Sequence, residues 1–393
     1  MVTVDGAGQA PRMDLPDAVE QGENSDLTAM RRALELAWMA AGSSSPNPPV
    51  GCVLLDQHNG VVGEGYTRPP GGPHAEVVAL TQAGTRAVGG TAVTTLEPCA
   101  HTGRTGPCAE ALLAAGVARV VYALADPNPV AAGGAERLRA AGVQVSGGLC
   151  ARAAELGAIE PWLLATRLGR PFVTWKYAAT LDGRTAAADG TSRWITSVPA
   201  RADVHRLRGT VDAIMVGSGT VLTDDPWLTT RLADGALAPR QPLRVVLDRR
   251  GRVPRHARVR DDAADTLVLD LPDPSAVLKV LYDRGVRHVL LEGGGTLAGA
   301  FARSGLVDRV VGYLAPVLLG AGPAVLGDAG IATIGGALRL RLDETTRIGP
   351  DLRVVARPVR AGVDDQGRGP EDVGTGGSAD GGCDVPAVPV REE

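Results

Sequence analysis

Pro73-His74-Ala75-Glu76, followed further along by Leu96-Glu97-Pro98-Cys99-Ala100-His101-Thr102-Gly103-Arg104-Thr105-Gly106-Pro107-Cys108, are the two segments from which the rest of the chain is read. One histidine and two cysteines, His74, Cys99 and Cys108, offer three ligands to a single Zn2+. That is the count of a catalytic site, which keeps its fourth tetrahedral position open for water, whereas a structural site closes all four. Glu76, two residues beyond the histidine, is the acid/base beside that position. Pro73 and Pro107 each suit the first turn of a helix, so His74, Glu76 and Cys108 are expected at helix N-termini. The free N–H groups and the dipole there favour thiolate over thiol. Singly, His74 reads as a helix-start histidine and the cysteines as small buried hydrophobes; grouped at strand-to-helix junctions they read as a metal centre. His101 as a further ligand would crowd the site's ligands into one short loop, so it is read as a neighbour.

Outward from these segments, short apolar runs alternate with helical patterns. A helix is expected to start after Ser25 and end near Gly42, followed by strands at 50–55 and 61–66 joined by the Asn59-Gly60 turn. Helices at 74–83, 107–115 and 133–141, strands at 91–96, 118–124 and 143–146, and one helix over 151–168 interrupted by Pro161 complete an α/β domain of residues 25–168. Gly169-Arg170-Pro171 marks a boundary. A second α/β domain, 169–360, has strands at 172–178, 213–217, 243–248, 266–269 and 288–291 and helices at 200–207, 274–284 and 298–304, which implies a mostly parallel sheet. Residues 1–24 and 361–393 lack periodicity and read as disordered tails, Cys383 included.

The length of 393 residues exceeds one ordinary core, consistent with two domains. A net charge of −4 with 3% aromatic residues argues against nucleic-acid binding. No long apolar run implies a membrane span, and the acidic N-terminus has no signal-peptide core, so a cytoplasmic protein is expected. Five irregularly spaced cysteines read as reduced thiols and not as a disulfide framework. Only Lys176 and Lys279 are lysines among the 40 basic residues, which draws attention to both.

The H-x-E…P-C half of the zinc nucleobase deaminase pattern is present, but eight residues separate the two cysteines where that pattern has two. With that long loop, the blocks Pro46-Asn47-Pro48-Pro49-Val50-Gly51-Cys52-Val53, Gly63-Glu64-Gly65-Tyr66, His74-Ala75-Glu76-Val77, Glu97 to Cys108 and Asp126-Pro127-Asn128-Pro129 resemble the deaminase domain of the bifunctional riboflavin-biosynthesis deaminase/reductases. The resemblance implies a cytidine-deaminase-like three-layer α/β/α domain acting on a diaminopyrimidinone that carries a phosphoribosylamino group, with Asn47, His101 and Arg104 lining the substrate pocket. Thr67 stands where the family usually has a histidine, and Gly106 where it has the first of two prolines.

Phe172 to Arg184, Ser192 to Ser197 and Val216 to Arg231 resemble the reductase domain of the same family, which implies a dihydrofolate-reductase-like α/β fold that uses NADPH. The resemblance implies cofactor contacts at Ala178, Trp194, Thr220, Asp224, Gly294, Gly295, Thr296 and Leu297, and substrate contacts at Ser192, Arg208, Leu228, Arg231 and Glu292. From the residues themselves, the glycine loop at 293–295 is either a flexible turn or a junction whose N–H groups hold a pyrophosphate. Arg249, at a strand end, suits a 2′-phosphate. Lys176 is either a strand-end salt bridge or, with Asp224, the group that steadies a developing alkoxide. The partners implied are small phosphorylated pyrimidines, with no nucleic acid or membrane, in a homo-oligomer. Two rival readings are a nucleoside or nucleic-acid deaminase with an unrelated partner domain, and a zinc-stabilised binding protein without catalysis.

Overall fold

The computed structural model describes residues 18–102, 106–359 and 383. Its first sheet has five strands in the order β2-β1-β3-β4-β5: β1 (Gly51–Leu55), β2 (Val61–Tyr66), β3 (Thr91–Leu96), β4 (Arg119–Leu124) and β5 (Gln144–Gly147). β1 runs antiparallel to β2 and β3, and β3, β4 and β5 are mutually parallel. Helices α1 (Ala18–Ala40), α2 (Ala75–Ala83), α3 (Cys108–Ala114), α4 (Gly134–Ala140), α5 (Ala151–Glu155) and α6 (Glu160–Leu168) surround it. Side chains alternate across β1, as its period of two requires. Cys52 and Leu54 pack with Ala79 and Leu112, while Val53 and Leu55 pack with Met30 and Ala33 on the other face. With both faces covered, every residue of β1 is buried, which explains its unbroken apolar run.

Gly63 and Gly65 fix the seat of α2. A Cβ on either would lie 2.2 Å from a carbonyl of α2, at Ala79 and Ala75 respectively. The helix therefore rests its backbone directly on β2, and its first turn carries Glu76 at a set height above the sheet.

The second sheet has eight strands: β6 (Phe172–Thr180), β7 (Ala213–Gly217), β8 (Leu243–Leu247), β9 (Thr266–Leu269), β10 (His288–Leu291), β11 (Arg309–Ala315), β12 (Leu340–Ile348) and β13 (Asp351–Pro358), in the order β12-β13-β11-β6-β10-β7-β8-β9. β11 through β9 in that order are parallel, while β13 and β12 add an antiparallel edge. Helices α7 (Val198–Gly209), α8 (Ser218–Asp224), α9 (Pro274–Asp283) and α10 (Gly295–Arg303) complete the domain. Val173, Met215 and Leu291 pack under Leu278 and Phe301, and Ile214, Val216 and Leu290 form a separate core on the other face.

Buried polar contacts tie the two domains together. Glu160 of α6 is 3% exposed and accepts hydrogen bonds from Arg309 and Arg357 of the second domain. Asp212, before β7, accepts from Ser45 Oγ of the first domain at 2.9 Å.

Several expectations need correction. α1 begins at Ala18, earlier than the expected start after Ser25, because an established helix extends backwards at little cost once nucleated. The single helix expected over 151–168 is two, with Pro161 in the first turn of α6, where the ring starts a helix and does not interrupt one. β11, β12 and β13 had no counterpart among the expected strands. Cys383, read as part of a tail of reduced thiols, is bonded to Cys150 with 5.5 Å between their Cα atoms and packs beside Leu27 and Leu149. That pairing depends on tertiary proximity across 233 residues, which spacing does not encode. Otherwise the two tails lie outside the described residues, apart from the stretch 18–24 at the start of α1.

Candidate active sites

His74 is the N-cap of α2, Glu76 lies in that helix's first turn, and Cys108 opens α3 with Pro107 as its N-cap, as the prolines implied. His74 Nδ1 lies 3.3 Å from Cys108 Sγ and 3.6 Å from Cys99 Sγ, and the three ligand atoms all fall within 4.8 Å of one another. Ligands bonded at 2.0–2.3 Å to one tetrahedral centre lie roughly 3.3–3.8 Å apart, so this donor set fits zinc. His101 is not part of the cluster. Between the thiols, hydrogen bonding from Cys108 pulls Cys99 down to about 4, and it is Cys99, not Cys108, that takes up negative charge more readily. Glu76 is 4% exposed, and burial pushes its carboxyl above the ordinary range.

His74, Cys99 and Glu76 line a cavity of about 460 Å³, a size suited to a small ligand. Asn47 and His101 line it too, and His101 Nδ1 is buried without a hydrogen-bond partner among the described residues. Arg104 lies outside the described residues. Thr67 is 3% exposed, and its Oγ1 accepts from Val50 N at 3.1 Å, so it braces the strand that leads into the cavity. Glu97 ties the cavity's rim together, accepting from Asp126 N, Gly133 N and Ala135 N. Trp162, Tyr282 and Arg287 also line it, the last two from the second domain.

In the second domain, parallel pairing of β6 with β10 puts Leu291 beside Trp175, so Lys176, midway along β6, stands next to Glu292 just past the carboxyl end of β10. Ligands in open α/β sheets bind at that edge. Lys176 Nζ lies 3.5 Å from Glu292, and Arg208 grips both carboxylate oxygens at 2.7 and 2.9 Å. Burial lowers the Lys176 ammonium from its ordinary value against the opposing pull of Glu292. Burial alone would raise Glu292, but Arg208 and Lys176 hold it down at about 2.

The turn after β10 meets α8, with Gly294 N donating to Thr220 Oγ1 at 3.3 Å. A Cβ on Gly295 would lie 2.9 Å from Gly327 N, and the first turn of α10, with Thr296 and Leu297, is tucked against that backbone. Gly294 itself faces open space within 3.9 Å of Thr220 only, which leaves a cradle of the kind that holds a dinucleotide's phosphates. Arg193 donates to the Asp224 carbonyl at 2.6 Å, and burial raises the Asp224 carboxyl.

Other residues singled out from the sequence lie at differing depths. Trp194 is 70% exposed and stacks with Arg201. Ala178 and Ser192 are half-buried, and Arg249 is exposed in the turn after β8. Leu228 is buried in the core and adopts a positive φ of 52°. The Arg231 backbone N–H donates to His205 Nδ1. Arg252, which the sequence did not mark, donates to Ser218 Oγ at the start of α8.

Residues 23–124 match the cytidine and deoxycytidylate deaminase zinc-binding region, and residues 171–354 match the RibD C-terminal domain. Riboflavin biosynthesis protein RibD of Mycobacterium tuberculosis is 52% identical over 334 residues, 85% of this chain and 97% of that protein. The chain belongs to the RibD family. It is a zinc-binding deaminase joined to a reductase of riboflavin biosynthesis, which disfavours both rival readings. RibD of Escherichia coli is 42% identical over 82% of this chain and 96% of its own length. The RibD structure from Acinetobacter baumannii superposes with a TM-score of 0.79 at 39% identity, covering 86% of this chain and all of that one. A Thermotoga maritima structure, a diaminohydroxyphosphoribosylaminopyrimidine deaminase/5-amino-6-(5-phosphoribosylamino)uracil reductase, gives 0.79 at 33% identity, with the same coverage. Of the cavity residues of this chain, Tyr282 and Arg287 had no signal in the sequence, because they reach the deaminase from the other domain.

Proposed function

We propose that the first domain hydrolyses the 2-amino group of 2,5-diamino-6-(5-phosphoribosylamino)pyrimidin-4(3H)-one, and that the second then reduces the ribosyl group of 5-amino-6-(5-phosphoribosylamino)uracil to ribityl with NADPH. The observation that carries this reading is the three-ligand cluster opening, with Glu76, into a cavity of small-molecule size. His74, Cys99 and Cys108 would hold one zinc ion, whose Lewis acidity makes water a nucleophile near neutral pH. Glu76 takes one proton from the attacking water and passes it to a ring nitrogen, then takes the proton left on the newly added hydroxyl and gives it to the departing amine, which leaves as ammonia while the carbonyl forms. Asn47, His101 and Arg104 hold the pyrimidine.

In the second domain bound NADPH would supply a hydride to C1′ of the ribosyl group. The opening sugar ring leaves negative charge on its former ring oxygen, which Lys176 steadies and protonates, with Asp224 as the second candidate for proton transfer. Thr220, Gly294, Gly295, Thr296 and Leu297 cradle the cofactor's phosphates with Ala178, Trp194 and Asp224 nearby, and Arg249 takes the 2′-phosphate. Ser192, Arg208, Leu228, Arg231 and Glu292 hold the substrate, where arginine forks suit a phosphate.

A homo-oligomer is supported by apolar side chains left exposed near the edge strands, among them Ile334 at 86% and Leu342 at 63%; sedimentation velocity tests it. Among the described residues no helix is long and apolar enough to cross a membrane. The enzyme is assigned to the cytoplasm, where phosphorylated pyrimidines and NADPH are at hand; cell fractionation tests that assignment. Ammonia release and NADPH oxidation followed together test both halves of the function.

A further inference from the structure

The deaminase cavity is not walled by the deaminase domain alone. Arg287, at the foot of β10 in the reductase domain, lines it together with Tyr282 of α9. Among the described lining residues Arg287 is the one lysine or arginine, set against the carboxylates of Glu76, Glu97 and Asp126. A phosphate monoester carried into such a cavity meets net repulsion unless a fixed cation receives it.

Arg287 is built to be that cation. Its guanidinium stacks on the Tyr282 ring, 4.0 Å from the centroid, and Nη1 donates to the Tyr282 and Val286 carbonyls at 2.9 and 3.1 Å. One edge of the fork is thus spent on fixing its plane, while Nε and Nη2 find no acceptor among the described residues. Two parallel N–H donors on one edge are the arrangement that binds a phosphate bidentately.

Its placement is tied to the rest of the cavity. The backbone N–H groups of Arg287 and His288 donate to Asp212 Oδ2 at 2.8 and 2.9 Å. The same oxygen accepts from Ser45 Oγ at 2.9 Å, two residues before Asn47, which lines the cavity. One buried carboxylate therefore holds the arginine of one domain in register with the substrate loop of the other.

We infer that Arg287 of the reductase domain is the receptor for the 5′-phosphate of the deaminase substrate, so that the two domains share one deaminase site. This inference rests on the deaminase reading of the cavity.

The test compares the full zinc-loaded chain with Arg287→Met, which keeps the apolar stem, and Arg287→Lys, which keeps the charge. Ammonia release is measured with the phosphorylated diaminopyrimidinone and with its dephosphorylated ribosyl counterpart. For Arg287→Met, KM for the phosphorylated substrate is expected to rise about tenfold or more, with kcat within about twofold and KM for the dephosphorylated compound unchanged. Arg287→Lys is expected to recover part of the lost affinity. An equal loss on both substrates, or no change on either, would overturn the inference while leaving the deaminase assignment standing. Absence of ammonia from the wild-type chain would overturn the assignment and the inference with it.

Discussion

Arg208 and Glu292 form a two-point salt bridge, with Nε and Nη2 of the arginine donating to the two carboxylate oxygens at 2.7 and 2.9 Å. Lys176 approaches the same carboxylate, so one anion sits between two cations and the cluster keeps a net positive charge. A site that must receive a phosphorylated sugar and steady a developing negative oxygen needs that balance. Replacing Glu292 with Gln leaves both cations buried without their anion. Losing one partner of a buried pair typically costs about 3–5 kcal/mol, so Glu292→Gln is expected to lower the denaturant midpoint of the second domain and to abolish most reductase turnover. An unchanged midpoint would contradict the cluster's structural role.

Glu76→Gln is expected to keep zinc at one equivalent, because the ligands His74, Cys99 and Cys108 are untouched, and to lose ammonia release by about 10²- to 10⁴-fold. Metal analysis and an ammonia assay on the same sample check it. NADPH oxidation should persist when the deaminated intermediate is supplied directly. Wild-type ammonia release from the zinc-loaded variant would remove Glu76 from the mechanism.

Glu160 lies 3% exposed between Arg309 and Arg357, and these contacts cross the domain boundary. Glu160→Ala leaves Arg309 without its carboxylate partner and Arg357 with Asp343 alone, and is expected to destabilise the chain by about 3–5 kcal/mol. Calorimetry should show the domains melting in two resolved steps where the wild type melts closer to one. A wild-type melting profile would mean that the boundary does not depend on this carboxylate.

His288 is buried beside Thr174, whose Oγ1 lies 2.9 Å from Nε2, and against the edge of Phe172, with the Asp212 carboxylate on its backbone N–H. Burial, with the charge of Arg309 adding to it, holds its imidazole down at about 3. The folded pKa is depressed, so the unfolded chain binds the proton first, and this group's contribution to stability is lost as pH falls from about 6.5 towards 3. The wild-type unfolding free energy should carry a component of up to about 1.4 kcal/mol per pH unit in that window. His288→Gln should flatten that component; an identical slope in the variant would contradict the assignment.

Much of the deaminase site was legible because its chemistry is local. His74 and Glu76 share one helix start, Cys99 and Cys108 flank one loop, and prolines announce both helices. The strands at 213–217 and 288–291 were equally plain, since a parallel strand buried on both faces is a largely continuous apolar run. β12 was hidden because it is mostly exposed and reads Leu-Arg-Leu-Asp-Glu-Thr-Thr-Arg-Ile, with too few apolar residues to signal a sheet. Lys176, Arg208 and Glu292 stood out singly, but their meeting follows from the β6–β10 register, which no short window contains. Arg287 illustrates the same limit across domains: its sequence neighbours describe a strand start, and only the Asp212–Ser45 contact reveals which cavity it serves.

The most direct test of the account is an anaerobic incubation of the zinc-loaded chain with the phosphorylated diaminopyrimidinone, following ammonia and NADPH in one vessel. Without NADPH, ammonia should be released in full and the uracil intermediate should accumulate. With NADPH, one equivalent should be oxidised per ammonia, after a lag that reflects the order of the two steps. NADPH oxidation without prior ammonia release, or no ammonia under either condition, would contradict it.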